Sequence, residues 1–125
     1  MQCVHHIMGA VPPALQVLPI QAKDDPARKE MEARALVAQL DSGGGVLLLT
    51  DVFGATPCNI ASRLVSPGRI VGVAGVNLPM LLRAVNYRDR PATELAQLAA
   101  LGGRECIVMM DQENGHDVKA GCANH

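Results

Sequence analysis

The chain of 125 residues has no tryptophan, one phenylalanine (Phe53) and one tyrosine (Tyr87), so its core must be packed with Leu, Val, Ile, Met and Ala. It has no excess of either charge. The formal net charge is −1 with acidic and basic residues interspersed, which leaves no electrostatic footprint for nucleic acid or an anionic membrane surface. The four cysteines, Cys3, Cys58, Cys106 and Cys122, form no C-x-x-C pair, so neither a disulfide framework nor a zinc knuckle is expected. No apolar run approaches the roughly 20 residues of a membrane span, and no signal-peptide pattern opens the chain. These absences predict a cytoplasmic protein with no direct membrane insertion and no nucleic-acid partner.

Apolar residues, by contrast, make up 49% of the chain, enough for a core at a length that the size prior assigns to one domain. Chemistry concentrates in one stretch, Gly45-Val-Leu-Leu-Leu-Thr-Asp51-Val-Phe-Gly54-Ala-Thr56-Pro57-Cys-Asn-Ile-Ala-Ser-Arg63. Val46 to Leu49 read as a strand buried on both faces of a parallel sheet. Asp51 stands where that strand gives out, and Gly54 permits close backbone approach. Thr56-Pro57 is an N-cap followed by a proline at the first helical position. The unpaired N–H groups of such a first turn, with the positive end of the helix dipole, suit an anion, and phosphate above all. An aspartate beside that site would repel the ligand unless something cationic or proton-bearing stood between them. A histidine held by the carboxylate through one ring nitrogen, with the other free to attack phosphorus, meets the requirement. The same residues also read as a turn aspartate and an ordinary cap.

Taken in order, Met1 to Gly9 carries Val4, Ile7 and Met8 at helical spacing and stops at Gly9, like the second half of a helix. Leu15 to Ile20 reads as an edge strand because of Pro19. Asp24-Asp25-Pro26 opens a helix whose apolar face is Ala33, Leu36, Val37 and Leu40, ending at Asp41-Ser42-Gly43. Pro57 to Val65 is a short helix, Arg69 to Val76 a second buried strand, and Asn77-Leu78-Pro79 caps a helix reaching about Tyr87. A helix from Ala92 to Leu101 is expected to end at Gly102-Gly103, and Glu105 to Met110 reads as a final strand. Asp111 to His125 is polar and aperiodic, a disordered tail after a domain of residues 1–110. The alternation predicts an α/β three-layer sandwich with a mostly parallel sheet. In such a sheet the carboxyl ends of the strands share one edge, where ligands bind, so Asp51, Thr56 and Asn77 are expected on one crevice with Phe53 and Pro79.

With these elements laid out, the chain resembles the IIA component of the mannose family of the bacterial phosphoenolpyruvate-dependent sugar phosphotransferase system. The resemblance rests on Gly45 to Arg63, on Ala74-Gly-Val-Asn-Leu-Pro-Met-Leu-Leu-Arg83, and on Gly102-Gly-Arg-Glu-Cys-Ile-Val108. It implies a phosphohistidine carrier that takes a phosphoryl group from the carrier protein HPr and passes it to a IIB component. It also implies that Asp51 orients the phosphoacceptor histidine and that Gly54, Ala55 and Thr56 contact the phosphoryl group. Family members are homodimers exchanging a C-terminal strand, here Glu105 to Met110. No cofactor is implied. In relatives with this wording the role can be regulatory rather than tied to one permease, and association with a membrane transport complex is peripheral.

One departure from the family pattern is large. The family's first, central strand and its phosphoacceptor histidine would lie before Met1, so a misassigned start or a truncated gene is expected, and the chain as written is expected to be inactive. Loss of a central strand would leave backbone groups unpaired at about 1 to 3 kcal/mol each if buried, against a domain stability of about 5 to 15 kcal/mol. A non-catalytic dimerising or regulatory module with a vestigial phosphate crevice is the alternative function. A metal site from Cys3, His5 and His6, or from His116, Cys122 and His125, is weaker. Adjacent histidines point to different sides of a helix, and the tail has no ligand spacing. Cys58 reads as a reactive thiol at a helix start or, more simply, as a small core residue. Met80, Met109 and Met110 read as core filler.

Overall fold

The computed structural model describes residues 14–51 and 56–110. Their element order is α1 (Pro26–Leu40), β1 (Val46–Thr50), α2 (Thr56–Leu64), β2 (Ile70–Ala74), α3 (Leu78–Asn86) and α4 (Ala92–Glu105). This is an α/β fold. β1 and β2 pair in parallel, Val46 opposite Ile70 through Thr50 opposite Ala74, as two strands joined by a crossover helix must.

Local chemistry explains where the helices start. The Asp25 carboxylate accepts the Ala27 N–H at 3.2 Å, with Pro26 at the first helical position of α1. Asn77 repeats the device on α3, its Oδ1 accepting the Met80 N–H at 3.0 Å with Pro79 in the first turn. Both caps satisfy donors that the helix itself cannot.

The core lies where α3 and α4 cover the sheet. Met80, Ala84, Leu95 and Ala99 form a buried cluster against Leu47, Leu49, Val73 and Val76, and Ala99 is completely inaccessible. Leu47 and Leu49 reach it together because alternate strand residues share a face. α2 touches both strands as well and buries Cys58, Ile60 and Leu64.

Several sequence expectations are corrected. α4 does not stop at Gly102-Gly103 but runs through them to Glu105. Both glycines are buried against α3: a Cβ on Gly103 would lie 3.0 Å from Asn77 Oδ1 and from Met80 Cε, and one on Gly102 would lie 2.7 Å from the Arg83 side chain. They are contact residues rather than a stop signal: Asn77 and Met80 fill the space beside Gly103, and the long Arg83 side chain lies over Gly102. Glu105 to Met110 is not a strand. Glu105 closes α4, and residues 107–110 have no regular structure, with Ile107, Met109 and Met110 at least 75% exposed, so only Met80 of the three methionines fills the core. Leu15 to Ile20 is not in the sheet either. Both segments have strand-like composition, but a strand exists only where another supplies its hydrogen bonds. Finally, Cys106 is disulfide-bonded, against the expectation from cysteine spacing, since sequence separation does not report proximity in the fold. The predicted helix at Met1 to Gly9 and the tail from Asp111 lie outside the described residues.

Candidate functional site

The carboxyl end of the sheet is tied together by one carbonyl. Thr50 ends β1, and its oxygen accepts both the Gly75 and the Val76 N–H at 2.9 Å. That pair of hydrogen bonds clamps the end of β1 to the turn leaving β2, so the next residue of each path, Asp51 on one and Asn77 on the other, emerges at the same edge. Gly75 adopts φ +92°, a left-handed turn that a side chain would strain, and this lets two successive N–H groups converge on one acceptor.

Asp51 is exposed there. α2 starts at Thr56, also exposed, one residue earlier than a capping threonine would allow, and Pro57 follows inside the first turn. Asp51, Pro57 and Val76 border one cleft of about 390 Å³, which continues as an apolar trough past Leu36, Val37 and Leu48. The amino ends of α2 and α3 thus open on the edge that carries Asp51. A helix amino end presents N–H groups and partial positive charge, so the edge offers two such ends and a carboxylate.

Asn77 is engaged on both sides of its amide: besides capping α3, its Nδ2 donates to the Gly103 carbonyl at 3.0 Å. It therefore fixes the wall of the edge by bracketing α3 against α4. Pro79 is half-buried in the first turn of α3. Phe53, Gly54 and Ala55 lie outside the described residues. Cys58 is a buried free thiol packed in α2. Among the described residues no group of three or more His, Cys, Asp and Glu could hold a metal, and the candidates Cys3, His5, His6, His116, Cys122 and His125 fall outside them.

The opposite end of β1 has its own aspartate, at the position where the sequence predicts the end of the helix opened by Pro26. Asp41 accepts from the Gly43 N–H at 2.9 Å, the Gly45 N–H at 3.2 Å and Arg69 at 3.2 Å. The Gly43 backbone bond first, then Arg69 and Gly45, hold its carboxyl below the usual carboxylate range. The signal was present in the triple glycine, since short loops with successive N–H groups form anion nests. Here the anion is the chain's own.

With that geometry in place, comparison with known proteins is decisive for family. Residues 1–101 match the family described as PTS system fructose IIA component. The chain belongs to this IIA family. The mannose-specific EIIAB component of Escherichia coli K12 is 43% identical over 76 residues, 58% of this chain and 24% of that protein. The fructose-specific EIIA component of Bacillus subtilis is 44% identical over 48 residues, 38% of this chain and 33% of its own length. The matched part of this IIA chain thus spans about a quarter of the E. coli relative and a third of the B. subtilis one.

Proposed function

We propose that this IIA-family chain serves in a phosphoenolpyruvate-dependent sugar phosphotransferase relay, between phospho-HPr and a IIB component. One observation carries the reading: the Asp51 carboxylate and the amino ends of α2 and α3 share the carboxyl edge of a parallel sheet. Helix amino ends stabilise a phosphoryl group, and a carboxylate beside them suits the imidazole that would carry it. In this reading Asp51 orients that imidazole and stabilises its charged form. Gly54, Ala55 and Thr56 contact the phosphoryl oxygens, and Phe53, Asn77 and Pro79 wall the crevice. Transfer is in line between histidines and is accelerated by positioning and by fixed electrostatics, with no covalent chemistry asked of the wall residues. Residues 1–110 form the working domain. The protein acts in the cytoplasm, at the periphery of a membrane transport complex.

The 125-residue chain on its own does not take up phosphate. Its histidines are His5, His6, His116 and His125, and none follows an apolar strand pattern in the sequence. Incubation with phosphoenolpyruvate, enzyme I and HPr, read by mass spectrometry, is expected to leave the mass unchanged. A stoichiometric acid-labile phosphoryl adduct on His5 or His6 would overturn this. Docking is tested separately by titrating the ¹⁵N-labelled chain with HPr. Amides of Asp51, Thr56 and Val76 are expected to shift, and shifts confined to Gly43 and Arg69 would show docking on the wrong edge.

A second reading, a non-catalytic dimerising or regulatory module, is favoured by a different observation. Ile107, Val108, Met109 and Met110 project from the end of α4 as an exposed apolar segment, which suits an exchanged strand in a homodimer. In-frame coding for an apolar strand and histidine upstream of Met1 would favour the relay, and a stop codon there the regulatory module.

A further inference from the structure

We draw no further inference here: the strongest candidate, the apolar cleft of about 390 Å³ between α1, α2 and the side of β1 away from β2, is an apolar face unpartnered among the described residues, and nothing in the structure shows what covers it.

Discussion

The two helical halves of the molecule are built on opposite terms. α4 buries six of its residues, Ala92, Leu95, Ala96, Ala99, Gly102 and Gly103, while α1, one residue longer, buries none. Both helices have an apolar stripe. That of α4 packs against α3 and both strands, with Asn77 and Met80 of the α3 start filling the space beside Gly103, whereas Ala33, Leu36, Val37 and Leu40 of α1 line the open cleft. Among the described residues α1 packs mainly against α2, where Glu30 pairs with Arg63 at 3.4 Å and Arg34 donates to the Arg63 carbonyl at 3.3 Å, while Glu30–Arg34 at 3.2 Å and Lys29–Glu32 at 3.1 Å are pairs within the helix. Periodicity tells a helix which face to bury. It does not tell whether anything is there to bury it against.

The contrast yields an ordered set of expectations. The largest effect is expected in the closed half from Leu82→Ala, whose side chain is 2% exposed. It should cost about 2 to 5 kcal/mol in urea unfolding followed by circular dichroism. A loss below about 1 kcal/mol would mean that α3 is no better packed than α1.

Gly103→Ala sharpens the comparison because two effects oppose each other. In an exposed helix interior the change would gain about 1 kcal/mol. Here the new methyl meets Asn77 and Met80 at 3.0 Å, so a net loss of about 1 to 3 kcal/mol is expected. A gain would show that the helices separate freely.

Asp41 sits at the joint between the halves, and its effect is one of pH. Its carboxyl is held below the usual range, first by the Gly43 N–H, in the folded state only. The stabilisation is therefore complete above the unfolded value of 3.8 and is lost as pH falls through the lower folded value. Thermal melts from pH 6 downward are expected to show this loss, and Asp41→Asn is expected to flatten the curve over that window. An unchanged slope in the variant would remove Asp41 from the account.

The smallest effects are expected in the open half. Arg63→Ala should cost less than about 1 kcal/mol, and less again in molar salt, because both partners are at least partly solvated. Ala33→Leu should be neutral or stabilise by up to about 1 kcal/mol, since it grows into empty space. A loss comparable to that of Gly103→Ala would show the cleft to be closed in solution and would erase the distinction between the halves.

The candidate site was legible in proportion to how local its causes are. Asp51 could be placed at a strand end, and Asn77 and Asp25 at helix starts, because a cap and its following proline act within three residues. The role of Thr50 was not legible: its carbonyl matters through Gly75 and Val76, across a crossover. Nor was the second bond of Asn77, to a carbonyl 26 residues away.

The sequence alone determined the helix and strand order from Asp25 to the start of α4 and the parallel pairing of β1 with β2, because hydrophobic period, capping and proline geometry are set by near neighbours. Tertiary structure decided the rest. It made Gly102-Gly103 an interface instead of an ending, left residues 107–110 and 15–20 outside the sheet, and filled one half while leaving the other open. Those outcomes depend on which surfaces meet, and a glycine or an apolar run has the same composition whether or not a partner lies across from it.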